Sequence, residues 1–224
     1  MNQQVTYQYN REYQPREPGY MDRRINWGVL SIIIICVAML IWMYVDLDST
    51  ALLWMWPDSN LRVWQFVTSI FLHGGFEHLF WNMFMLYMFG MALENLLRTK
   101  NFLMLFIISG ILGNIGYVLF CVLTGSDMPA VGASGALYGI FACLVVLMPN
   151  MRVYLFFMIP MKIVHALLLF AAFDIVFLGA NDSVAHAAHL AGLVGGLAFG
   201  LYFKKRIQRP QPRIAYRYDN IDYR

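Results

Sequence analysis

Three short stretches of this chain carry groups able to do chemistry in otherwise apolar surroundings: His78-Leu79-Phe80-Trp81-Asn82, Gly132-Ala133-Ser134-Gly135 and His186-Ala187-Ala188-His189. A serine hydroxyl is a weak nucleophile and becomes useful for acyl transfer only beside a base that takes its proton. Histidine titrates near neutrality and is the usual base. Ser134 and His189 fit these two roles. The tetrahedral intermediate of acyl transfer also needs donors aimed at its oxyanion. The first-turn N–H groups of a helix opening near Ser134 are free and lie at the positive end of its dipole. His78 and Asn82, four residues apart and so on one helical face, add side-chain donors.

The elements that must position these groups follow from composition. Of 224 residues 60% are hydrophobic and only 13% charged, which is not the balance of a soluble globular domain. The chain reads as an all-α membrane protein, and soluble enzymes and nucleic-acid binders are excluded. Cys36, Cys121 and Cys143 sit within apolar stretches, where neither a disulfide framework nor a zinc cluster is expected. Apolar segments are expected at 27–45, 77–97, 102–123, 131–148, 153–179 and 184–203, giving a six-helix membrane domain over 27–203 between a polar tail, 1–26, and a basic tail, 204–224. The tails are polar and hold Pro15, Pro18, Pro210 and Pro212, so they are expected to be disordered.

Of the 16 Lys and Arg residues, all but Arg62 fall on one side of these segments, so both termini are expected in the cytoplasm. The other face carries Asp46, Asp48, Asp58, Glu77, Asp127 and Asp182. The connection 46–76 is rich in Trp and Phe, and is expected either to lie in the outer interface, anchored by its tryptophans, or to pack on the bundle. Absence of an internal repeat gives a transporter no support.

Ionisable groups inside a bilayer are expensive and therefore functional candidates. His73, His78, His186 and His189 cluster near outer segment ends, whereas His165 falls mid-span and is read as structural. Rises of about 1.5 Å per residue put Ser134, His189 and Asn82 roughly 5 to 10 Å below the outer surface. Small residues let their helices approach: Ala188, Gly192 and Gly196 form one row, and Gly132, Gly135 or Ala136, and Gly139 form another. Taken singly, each motif is also readable as packing. A metal site on His186 and His189 is disfavoured because no carboxylate or cysteine is expected at their depth. Asp174 is left open between a third member of the constellation and a buried partner for some other polar group.

Together the segments HLFWN, GASGALYG and AHLAG, in this order over most of 64–203, resemble the rhomboid family of intramembrane serine proteases. The resemblance implies a six-transmembrane-helix rhomboid-like bundle with a shortened fourth helix. It implies Ser134 as nucleophile and His189, which precedes x-x-Gly192 on the small-residue row, as base in preference to His186. His78, Asn82 and Ser134 would form the oxyanion hole, Tyr138 would pack beside the imidazole, and Gly132, Gly135 and Gly192 would support the site. No cofactor and no metal are implied. The partners would be transmembrane protein substrates within the lipid bilayer, cut near the outer leaflet where a helix is weakened by Gly or Pro. The alternative is a non-catalytic rhomboid-like protein that binds membrane clients. Trp64-Gln65 stands where many members have Trp-Arg, which sets aside the family's anchoring of that loop but leaves the chemistry untouched.

Overall fold

The computed structural model describes residues 25–57, 62–155, 158–180 and 184–207, so the expected tails lie almost wholly outside the described residues. The chain is predominantly helical: α1 (Trp27–Val45), α2 (Leu47–Ala51), α3 (Gln65–Thr68), α4 (Phe76–Met85), α5 (Met91–Thr124), α6 (Ser134–Leu147), α7 (Ile163–Val176) and α8 (His186–Ile207). A π-helical stretch, Leu86–Gly90, joins α4 to α5 without a break. Three stretches are long and apolar enough to cross a membrane: Trp27–Val45, Phe76–Thr124 and His186–Arg206. The second is kinked at Arg98, whose φ of 67° and ψ of 156° interrupt the helix. This single residue turns the chain between the expected second and third segments. α6 and α7 are shorter apolar helices.

α6 is apolar on all sides and is buried accordingly: Ala136, Ile140, Ala142, Cys143 and Leu144 are all at most 1% exposed. It packs between α5 and α8 at backbone contact. A Cβ on Gly192 would strike the carbonyl of Gly135, one on Gly196 the carbonyl of Gly139, and one on Gly113 of α5 would lie 3.0 Å from the carbonyl of Ala188. Interfaces this close are how membrane helices gain packing energy without a hydrophobic driving force. Gly132 is not part of this row. It precedes α6 with a φ of 133°, and its N–H donates to the Ser69 carbonyl at 2.9 Å.

The fifth segment differs from expectation. Residues expected to open a helix at 153 instead form a hairpin, β1 (Arg152–Leu155) against β2 (Ile159–Lys162), in register from Arg152 opposite Lys162 to Leu155 opposite Ile159. Pro160 is the cause, since its ring and missing N–H are incompatible with a helix interior and tolerable in a two-stranded ribbon. The helix therefore starts at Ile163, and His165 is an exposed residue of its first turn.

The connection after α1 packs on the bundle. Thr50, Met55 and Gln65 are 0% exposed, and Met55 pairs with Ala130 through two 3.0 Å backbone hydrogen bonds. Gln65 supplies its own anchoring: its amide donates to the Leu52 carbonyl at 3.1 Å and its carbonyl accepts from Trp56 N–H at 3.3 Å. Asn114 of α5 ties the other end, donating to Ser69 Oγ and the Phe66 carbonyl at 2.9 Å each.

Candidate active site

Ser134 is the first residue of α6, so its own N–H and those of Gly135 and Ala136 precede the first carbonyl-paired N–H, that of Leu137. These groups and the dipole behind them make a ready anion-binding terminus. His189 lies in the first turn of α8, and because the two helices meet through Gly135 and Gly192 it reaches Ser134: Nε2 is 2.8 Å from Oγ. The Tyr138 ring, one turn along α6, stacks on the imidazole with centroids 4.4 Å apart and planes 11° from parallel. His189 is 9% exposed. It thus has one face covered by an aromatic ring and one nitrogen at the hydroxyl.

Its other nitrogen, Nδ1, is 2.9 Å from Asp174 Oδ1. Asp174 sits near the C-terminal end of α7, is 1% exposed, and brings the same oxygen within 2.6 Å of His186 Nδ1. The expectation that no carboxylate reaches the depth of these histidines is therefore corrected, because α7 folds back so that its last turn faces the first turn of α8. Donor atoms of Asp174, His186 and His189 lie within 4.8 Å of one another. The distances from Asp174 Oδ1 to the two imidazoles, 2.6 and 2.9 Å, are those of hydrogen bonds. The sequence contained the signal for this carboxylate, an acidic residue inside an apolar helix, but not its partner.

His78 and Asn82 lie on α4, facing α6 from the other side. His78 Nδ1 accepts from Gly74 N–H at 3.3 Å, which leaves the Nε2 edge as donor. That edge is turned toward Gly132: a Cβ there would lie 2.8 Å from His78 Cε1, 3.0 Å from Nε2 and 3.9 Å from Ser134 Oγ. Only glycine keeps this space open, and its φ of 133° independently demands glycine. Asn82 is buried and donates one amide hydrogen to the His78 carbonyl at 2.8 Å, with its second hydrogen uncommitted. Beside it a cavity of about 200 Å³ opens between α4, α6 and α7, lined by Trp81, Asn82, Met85, Ser134, Tyr138 and Phe170 among others.

His73, one of the histidines noted near the outer segment ends, does not join Ser134. It is fully buried, and its ring meets that of His78 edge-on with centroids 5.1 Å apart.

Residues 60–206 match the Rhomboid domain family model. The chain belongs to the rhomboid family. This rhomboid is 32% identical over 191 residues to YdcA of Bacillus subtilis, a similarity that covers 79% of this chain and 89% of that one. It is also 32% identical over 151 residues to the mitochondrial Rhomboid protein 1 of Saccharomyces cerevisiae, covering 66% of this chain and 44% of the yeast protein. The Rhomboid protease GlpG of Yersinia pseudotuberculosis serotype I is 29% identical over 186 residues, covering 77% of this chain and 61% of GlpG. Family and apolar helices together make it a membrane protein, and the GlpG relative is named a rhomboid protease.

Proposed function

We propose that this rhomboid is an intramembrane serine endopeptidase in which Ser134 attacks a peptide bond of a substrate transmembrane helix and His189 takes and returns the proton. The single observation carrying the reading is the 2.8 Å contact between Ser134 Oγ and His189 Nε2, made by residues far apart in sequence at the free N-terminus of a buried helix. As the Oγ–C bond forms, the carbonyl oxygen becomes an oxyanion. The N–H groups opening α6, His78 Nε2 and the free Asn82 amide hydrogen are the available donors around it. His189 then protonates the leaving amine as the C–N bond breaks, and water hydrolyses the acyl-enzyme by the same steps with a water hydroxyl in place of the amine.

The bundle is read as six membrane segments with both termini in the cytoplasm, as the charge distribution requires. A 14-residue α6 is about 21 Å long, short of a hydrocarbon core of about 30 Å, so one end must start inside the slab. Starting Ser134 below the outer face supplies both water and access to the outer part of a substrate helix. A helical peptide bond is shielded by its own hydrogen bonds, which favours substrates weakened by Gly or Pro near the cut. The test is cleavage of a single-span reporter helix by detergent-purified protein, with mass-spectrometric mapping of the products. Ser134→Ala should abolish cleavage and fluorophosphonate labelling while leaving expression intact, and cleavage that persists in the pure variant would defeat the assignment.

A further inference from the structure

The constellation does not stop at two residues. Asp174 Oδ1 lies 2.9 Å from His189 Nδ1 and 2.6 Å from His186 Nδ1, so one carboxylate oxygen receives two imidazoles, and the Tyr138 hydroxyl stands close to the same group. An ionised carboxylate only accepts hydrogen bonds. Both imidazoles must therefore present Nδ1–H to it. For a neutral His189 this leaves Nε2 without a proton, turned at 2.8 Å to Ser134 Oγ. The opposite tautomer would put an Nε2–H against the serine, where it cannot act as a base, and a bare Nδ1 against the carboxylate, where two acceptors would face each other. The arrangement is the logic of an acid that orients a histidine without itself taking the proton.

We propose that Asp174 is a positioning residue of the catalytic constellation, acting through His189 to fix its tautomer and ring orientation, so that this rhomboid works with an Asp174–His189–Ser134 series rather than with two residues alone. This rests on the serine protease reading above. During acylation the proton leaves Ser134 Oγ for His189 Nε2 as the Oγ–C bond forms. It leaves Nε2 for the amine nitrogen as the C–N bond breaks, and Asp174 remains ionised throughout, facing the imidazolium while it lasts. His186, one turn before His189 on α8, shares the same carboxylate oxygen and helps hold the carboxylate in place. Asp174 is 1% exposed, so this orienting part rests on the carboxylate itself rather than on bulk solvent.

The experiment compares the full-length wild type with Asp174→Asn on the reporter helix and, separately, reads the His189 tautomer by ¹⁵N NMR of histidine-labelled protein. Asp174→Asn should lower kcat by about 100-fold or more, as loss of tautomer control does in serine hydrolases, with KM within about threefold of wild type and the thermal midpoint shifted by only a few degrees. A kcat within threefold of wild type would overturn the proposal. Should the variant fail to fold, the wild-type spectrum decides: Nδ1 protonated with Nε2 bare supports the proposal, and Nε2 protonated refutes it. The serine protease reading falls on a different result, a wild-type chain that neither cleaves nor reacts with fluorophosphonate.

Discussion

Among the described residues two carboxylates are buried, Glu94 at 3% and Asp174 at 1% exposure, and they face opposite kinds of partner. Glu94 receives Gly28 and Val29 N–H at 2.8 Å each and the Thr99 hydroxyl at 2.6 Å. It thereby caps the first turn of α1 from α5, meeting orphan donors at the positive end of a helix. None of these donors titrates. Asp174 receives two imidazoles, and its bonding changes whenever either gains or loses a proton. The same functional group is thus a fixed strut where it meets backbone and, in the role proposed for Asp174, a control element where it meets histidine. Burial by itself says nothing about which.

That contrast can be broken at its strongest point first. Asp174→Asn should lose activity by the 100-fold or more given above and little stability, whereas Glu94→Gln should do the reverse. Its neutral amide loses the charge on two short backbone bonds, worth about 1–3 kcal/mol, so the thermal midpoint should fall while kcat of the folded fraction stays within about threefold. A Glu94→Gln enzyme that kept its midpoint but lost turnover would erase the distinction.

A second pair of variants sharpens it. Gly192→Ala forces a methyl into the Gly135 carbonyl and must part α6 from α8, a backbone collision costing about 1–3 kcal/mol or more. Both stability and fluorophosphonate labelling should drop, because the Ser134–His189 contact depends on that approach. Gly132→Ala meets the His78 ring at 2.8 Å and a φ of 133° unfavourable to alanine. Its effect should concentrate in kcat rather than in substrate binding if His78 faces the oxyanion.

The smallest expected effect concerns a third buried polar group that is neither strut nor control. Burial, with His78 adding to it, pushes the His73 imidazole down from 6.5 to about 3. The unfolded chain binds a proton below about pH 6.5 that the folded chain refuses until about pH 3. Stability contributed by neutral His73 is therefore complete above pH 6.5 and declines as pH falls through that window. Acid titration of thermal stability should show this slope, and His73→Leu should flatten it. An unchanged slope would assign the acid sensitivity to other groups.

Much of this molecule is legible in its residues. The apolar segments, the Gly-x-Ser-Gly motif and the Ala-His-x-x-Gly motif singled out Ser134 and His189 because local spacing and small side chains are written along single helices. Pro160 is equally visible there and weighs against a helix that begins at 153 and runs through it. Gln65, which departs from the family's usual arginine, turns out to bind the loop's backbone on both sides, something no local pattern encodes.

By itself, then, the sequence determined that the chain lies in membrane, which segments are apolar and mostly helical, and which side chains are costly enough there to have a purpose. Only the tertiary structure decided which of those costly groups meet: that Glu94 turns to Gly28 across 66 positions, and that Asp174 turns to His189 rather than to lipid. The reason is that helical periodicity specifies the face on which a residue stands. The element opposite that face is chosen by how closely backbones can approach, and here three helices are brought to contact through glycines whose partners lie far away in the chain.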